Sequence, residues 1–224
     1  SGDSACILPP QTLSNKLMEI IKDITKNICR SLKIIGFINI QFAIKDDKVF
    51  VIEVNPRASR TIPFISKAIG VPLANLATRI MLGKKLNKNK SAISKSDYVC
   101  VKESVFPFDR FPGEDIILGP EMKSTGEVMG IDKNFPMAFL KSQMAAGNIL
   151  PSSGSVFISV RDEDKENILF ICQLLEKLNY KIYTTKGTSS FLKKFCIKSN
   201  LVKKVNEGEP HIVHLIEKNK INLI

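Results

Sequence analysis

The sequence predicts an α/β chain in two parts. An antiparallel hairpin flanked by helices comes first, and a region where strand and helix alternate into a parallel sheet follows. Three observations carry this. Apolar residues recur every three or four positions before residue 36. Two β-rich runs, Ile38–Ile44 and Val49–Val54, are separated by Lys45-Asp46-Asp47-Lys48. From Ser155 onward, short β-branched runs alternate with helical periodicity, the pattern of β-α-β crossovers.

The elements follow in order. Ile20, Ile21, Ile24, Ile28, Leu32 and Ile35 form one face of a helix expected over Gln11–Ile35, stopped by Gly36. After the hairpin, Asn55-Pro56 ends the second strand. Helices are expected over Phe64–Ile69 and Pro72–Leu82, with Gly83 closing the second. Lys84–Asp97 reads as a polar loop and Tyr98–Phe108 as a strand. Phe111–Asn134, rich in Gly and Pro, reads as a loop-dominated connection, and Phe135–Ala146 as a helix. The turn-rich Gly147–Gly154 marks a domain boundary. Beyond it come strand Ser155–Val160, helix Asp164–Leu178, strand Tyr180–Thr184, helix Thr188–Cys196, strand Asn200–Val205 and helix Pro210–Lys218. A last strand starts at Ile221, so this domain is expected to be cut short at Ile224. The division expected is 1–92, a connecting segment 93–150, and 151–224.

Composition narrows the function classes. With 224 residues, 44% apolar and 25% charged, the chain can bury a core. No apolar run reaches the roughly 18 residues of a membrane helix, and no membrane association is expected. Five cysteines without metal-like spacing read as reduced thiols of a cytoplasmic protein. The net charge of +11 raises the question of nucleic acid. Only six of the 33 cations are Arg and there is no Trp, so base readers and stacking platforms are scarce. Phosphorylated small ligands fit the charge as well.

The hairpin carries the first candidate site. The even residues Ile40, Phe42, Ile44, Phe50, Ile52 and Val54 are expected to face the core. The odd face carries Asn39, Gln41, Glu53 and Asn55. A three-residue loop, Asp46–Lys48, would put Gln41 opposite Glu53, with Cβ atoms about 5 Å apart. Converging carboxylate and amide oxygens suit a hard cation that also takes phosphate oxygens. Arg57 follows and could clamp the phosphate. A merely solvated polar face explains the same spacing.

The second candidate lies where strands of the parallel sheet end. Arg161 to Lys165, Thr184-Thr185-Lys186-Gly187-Thr188-Ser189 opening a helix, and Lys203-Lys204 supply cations, hydroxyls and a helix start. Ordinary capping by Ser and Thr is the competing reading. His211 and His214, three apart, read as packing residues.

Two motifs sharpen these readings. Ile52-Glu53-Val54-Asn55-Pro56-Arg57, with Gln41 before it, resembles the closing segment of an ATP-grasp fold. The longer match through Ala58-Ser59-Arg60, Pro63-Phe64-Ile65-Ser66-Lys67-Ala68 and Gly70-Val71-Pro72-Leu73-Ala74 resembles the carbamoyl-phosphate synthase large subunit, at the end of its second ATP-grasp unit. Gly119-Pro120-Glu121-Met122-Lys123-Ser124-Thr125-Gly126-Glu127-Val128-Met129-Gly130 resembles the stretch leading to that family's regulatory domain. Residues from about Ser152 resemble the regulatory domain itself, which has the methylglyoxal-synthase-like (MGS-like) fold, Rossmann-like and parallel.

The resemblance implies a ligase, phosphorylating carbamate with a second ATP to give carbamoyl phosphate for pyrimidine or arginine synthesis. Gln41, Glu53 and Asn55 would hold Mg²⁺ or Mn²⁺, with K⁺ compatible. Arg57 and Arg60 would face the transferred phosphoryl group, and Ser1, Gly2 and Asp3 would lie at the cofactor. Lys165, Thr185, Lys186, Thr188 and Lys204 would bind an allosteric nucleotide: UTP, UMP or phosphoribosyl pyrophosphate. Lys186 stands where bacterial relatives usually have His. Asp3, Glu103 and Leu118 match a second effector position, for ornithine. The implied partners are the rest of the synthase and its glutaminase, with a homo-oligomer through the C-terminal domain compatible. The chain alone is expected to be inactive, because the glycine-rich loop over the phosphates lies upstream in this family. The alternatives are another ATP-grasp ligase, an active methylglyoxal synthase, and a basic anion- or nucleic-acid-binding module.

Overall fold

The computed structural model describes residues 2–86, 97–113 and 115–224. The chain divides into two compact units, Ser1–Asn148 and Ile149–Ile224. The expected boundary at 92/93 falls outside the described residues.

In the first unit, α1 (Asn15–Ser31) is shorter at both ends than the apolar periodicity suggests. Ser14 caps it, its hydroxyl accepting from the Leu17 amide, and this fixes the start four residues after Gln11. Lys33 takes a positive φ of 50°, so the helix stops before Gly36.

The hairpin forms from β2 (Asn39–Lys45) and β3 (Lys48–Asn55). Its turn differs from the expected one. Lys45 pairs with Lys48, leaving a two-residue turn of Asp46 and Asp47, with φ of 50° and 58°. Such a turn suits the twist of the strands. A bulge between Gln41 and Phe42 skips Ile52, so Gln41 still pairs with Glu53 and Asn39 with Asn55.

The expectation that the even face packs on a core is corrected. Ile44, Phe50 and Ile52 are exposed. Among the described residues the hairpin is a two-stranded sheet of its own, with no third strand beside it. The helices α2 (Ile62–Ile69) and α3 (Leu73–Met81) follow as expected.

A second sheet has the order β1-β4-β5, antiparallel throughout. Here β1 is Cys6–Leu8, β4 is Val99–Val105 and β5 is Gly126–Asp132. The region read as loop from Phe111 to Asn134 therefore contains a full strand. Its glycines misled the reading, yet one of them is required. A Cβ on Gly130 would sit 2.0 Å from the Ala138 carbonyl oxygen and 2.5 Å from the Ser142 nitrogen. Gly130 thus lets α4 (Phe135–Ala145) seat against β4 and β5. Val99, Val101 and Ala138 form the small core there. Buried Lys102 of β4 faces Glu127 of β5 at 3.5 Å.

The second unit is a parallel sheet, β6-β7-β8. The chain runs β6 (Ser155–Ile158), α5 (Lys165–Lys177), β7 (Lys181–Thr184), α6 (Lys186–Lys193), β8 (Asn200–Leu201) and α7 (Ile212–Glu217). Leu223 bridges Val156 in parallel, on the side of β6 away from β7. The expected strand Asn200–Val205 shrinks to two residues, because Lys204 already caps a 3₁₀ turn at Val205–Glu207. The core comprises Val156, Cys172, Tyr180, Ile182, Leu192 and Ile197.

All five cysteines are free. Burial pushes the Cys100 and Cys172 thiols up, which keeps them protonated and inert.

Candidate functional site

Two sites emerge, one in each unit. In the first, Gln41, Glu53, Arg57 and Arg60 line one cavity of about 650 Å³, together with Gly2 and Asn39. The cross-strand register brings Gln41 opposite Glu53. Asn55, one pleat along, donates its amide to Glu53 Oε1 at 2.7 Å. That bond orients the carboxylate, while Asn55 itself does not line the cavity.

Among the described residues no Lys, Arg or His forms an ion pair with Glu53. A carboxylate opposite one side-chain amide and bonded to a second, with no cation partner among the described residues, fits a hard divalent ion. Arg57 donates from Nη1 to the Ala58 carbonyl at 3.0 Å and is otherwise exposed. Arg60 points its Nη1 at the Met122 sulfur. Both guanidiniums thus keep donors for an anion beside the carboxylate.

Ser1 lies outside the described residues. Gly2 lines the cavity, and its carbonyl accepts from the Ser104 hydroxyl at 2.9 Å. Asp3 has a structural task. Its carboxylate accepts the Lys123 and Ser124 amides, each at 2.9 Å. The Lys123 amide first, then the Ser124 side chain, hold its carboxyl below the usual carboxylate range. Asp3 so pins the Gly119–Gly130 stretch to the chain's start. Asp3 and Leu118 share a neighbouring cavity of about 290 Å³, which Glu103 does not line. Glu103 instead accepts from Gln143 Nε2 at 2.7 Å. Met122 is a cavity residue that the sequence reading missed; nothing in its spacing signals this.

In the second unit the carboxyl ends of β6 and β7 meet at Ser159 and Thr185, whose hydroxyls lie 3.2 Å apart. Thr185 is the N-cap of α6, but its side chain makes no capping bond. Thr185 is therefore not a side-chain cap, and the first N–H groups of α6 find no partner among the described residues. Thr188, in the first turn, is 1% exposed, and its Oγ1 has no hydrogen-bond partner. Buried hydroxyls rarely go unpartnered.

Beside it, Lys165 is only 15% exposed and meets Asp162 at 2.5 Å. A Cβ on Gly187 would come within 3.3 Å of the Lys165 ammonium, so glycine lets that charge approach the helix start. Lys165, then Lys204, draw the Asp162 carboxyl below its ordinary range. Both lysines thus act on one carboxylate at this end of the sheet. Lys186 is exposed at the same helix end. Ser159 and Asp162 were not singled out by sequence; their strand-end position was the available signal. Unpaired N–H groups, an orphan hydroxyl and lysines are the groups that binding an anion would call on.

No helix among the described residues is long and apolar enough to cross a membrane.

Comparison with known proteins bears on the family. Residues 1–89 match the family described as carbamoyl-phosphate synthase L chain, ATP binding domain, and residues 167–224 match the MGS-like domain. The chain is 48% identical over its whole length to the carbamoyl phosphate synthase large chain, C-terminal section, of Methanocaldococcus jannaschii, covering 38% of that protein. It is 46% identical over its whole length to the protein of the same description from Aquifex aeolicus, covering 45% of it. The carbamoyl phosphate synthase large chain of Methanocorpusculum labreanum is 50% identical, with 21% of its length covered. The chain thus spans between about a fifth and under a half of these relatives. The mixed α/β architecture, antiparallel sheets first and a parallel sheet after, is that of the end of an ATP-grasp domain followed by an MGS-like domain. The chain belongs to the carbamoyl phosphate synthase large chain family, and corresponds to its C-terminal portion.

Proposed function

We propose that the chain carries the metal- and phosphate-binding end of the site where ATP phosphorylates carbamate, and a separate pocket that senses a phosphorylated nucleotide. The observation that carries the first part is the Gln41–Glu53 register with Asn55, Arg57 and Arg60 alongside. Phosphoryl transfer needs little covalent work from a protein; positioning and charge neutralisation suffice. Gln41, Glu53 and Asn55 present the oxygens that would hold Mg²⁺, whose chemistry is to screen the phosphate charges. Arg57 and Arg60 bind and orient the transferred group. No side chain here needs to act as a base, since carbamate is already an anion.

Thr188 supports the second part, because a phosphate oxygen would satisfy its buried hydroxyl. Lys165 and Lys204 would balance the charge. A pyrimidine nucleotide or phosphoribosyl pyrophosphate is the ligand class; regulation of pyrimidine synthesis is the corresponding role. The chain works as part of a larger synthase with a glutaminase, and is inactive alone.

The test is the synthase carrying this chain, assayed for ATP-dependent carbamoyl phosphate formation. Glu53→Gln should abolish it while the protein stays folded. Full activity of Glu53→Gln would refute the metal role. Unchanged nucleotide affinity in Lys204→Ala would separately refute the sensor role.

A further inference from the structure

Near the end of β8 the second unit holds a side-chain pair that neither proposed site uses. His211 follows the turn at Glu207–Pro210 and bridges Lys203 in parallel. His214 lies one turn later, in α7. Their Nδ1 atoms are 3.2 Å apart, and the ring centroids 4.2 Å. Two nitrogens bound to one tetrahedral ion at 2.0–2.1 Å would lie about 3.4 Å apart, and at a right angle about 2.9 Å. The observed spacing falls between these.

The second observation concerns the far side of His214. Its Nε2 lies 3.5 Å from Glu209 Oε1. A carboxylate there favours the proton on Nε2 and leaves Nδ1 a lone pair, the arrangement typical of metal-bound histidine. That lone pair also accepts from the His211 backbone N–H, at a long 3.4 Å. Lys203 Nζ holds the Glu209 carbonyl at 2.7 Å, which anchors the turn that presents the carboxylate.

We propose that His211 and His214 chelate one divalent transition-metal ion through their Nδ1 atoms, with Glu209 positioning His214. Imidazole donors select Zn²⁺, Ni²⁺ or Cu²⁺ over Mg²⁺ or Ca²⁺. Among the described residues no third His, Cys, Asp or Glu joins the pair, so water completes the coordination. Without metal, a lone pair on His214 Nδ1 calls for the His211 tautomer with its proton on Nδ1. On binding, that proton leaves Nδ1 while Nε2 of His211 takes one up, so two neutral rings release no net proton. The ion would tie α7 to the strand end that carries Lys203 and Lys204.

The test titrates the chain with Zn²⁺, in a Cys196→Ser background because Cys196 is exposed. Imidazole nitrogen resonances are followed by NMR alongside calorimetry. One equivalent should bind and shift both Nδ1 signals. Glu209→Gln should weaken binding 10–100-fold, and His214→Gln should remove it. Circular dichroism checks that each variant is folded. Should His211→Gln unfold, the His214→Gln titration and the unsubstituted spectra decide alone. Equal Zn²⁺ affinity in His214→Gln, unmoved ring signals, or no saturable binding would overturn the proposal.

Discussion

Gln41 lies directly opposite Glu53 although the turn joining their strands has only two residues. A two-residue turn alone would place Gln41 opposite Ile52. The bulge at Ile52 restores the pairing, and Asn39, Gln41 and Glu53 line one cavity. The polar site therefore depends on an irregularity in an otherwise apolar strand.

Arg57 is exposed and forms no ion pair among the described residues, so its loss should not harm the fold. Arg57→Ala should change stability by no more than about 0.5 kcal/mol. In the synthase it should lower the rate of carbamoyl phosphate formation about 10³-fold. Steady-state kinetics beside a thermal melt tests both halves.

Both turn residues, Asp46 and Asp47, sit in the left-handed region. Glycine is favoured there, at the second position above all. Asp47→Gly should stabilise the first unit by up to about 1 kcal/mol. An unchanged or lower melting temperature would count against the two-residue turn.

Gly130 leaves no room for a side chain, because the atoms facing it are helix backbone. Gly130→Ala should cost about 1–3 kcal/mol or more by pushing α4 off the sheet. Denaturant unfolding measures this directly.

The hairpin, α2, α3 and the order of the parallel unit could all be read from the sequence, because each rests on local periodicity. The ends of α1 could not. Ser14 competes for the helix start, and the apolar stripe runs on past Ser31 into residues such as Ile35 that stay exposed. Strand β5 hid behind Gly126 and Gly130, whose value appears only once α4 is in place. The Gln41–Glu53 pairing was expected, but through a loop of the wrong length. The even face was expected to be covered, yet periodicity states only which residues share a face. It cannot say whether anything packs on them. Thr185 and Thr188 were legible as candidates, whereas the orphaned hydroxyl and the Asp3 clamp are tertiary facts.

Asp3 makes stability depend on pH. Its carboxyl is depressed in the folded protein by the Lys123 amide first, then by the Ser124 side chain and amide. Its contribution is therefore fully present above the unfolded value, about pH 3.9. It is lost as pH falls below that toward the folded value. Asp3→Asn should melt lower than the parent at pH 7, and the gap should close as pH falls from about 4 toward 2. A gap that widened in acid would contradict the clamp.

Thr188 separates stability from binding at one atom. Its hydroxyl is buried without a partner, so Thr188→Val should stabilise the second unit by about 1 kcal/mol. The same change removes a donor for the proposed phosphate. The most direct measurement is calorimetric titration of UTP, UMP and phosphoribosyl pyrophosphate into the synthase carrying this chain, with and without Thr188→Val. Micromolar binding of one of them, weakened about tenfold or more in a variant that melts at or above the parent, is the expected result. Binding of equal strength in both proteins, or none of the three ligands binding to the parent, would contradict the assignment of this pocket.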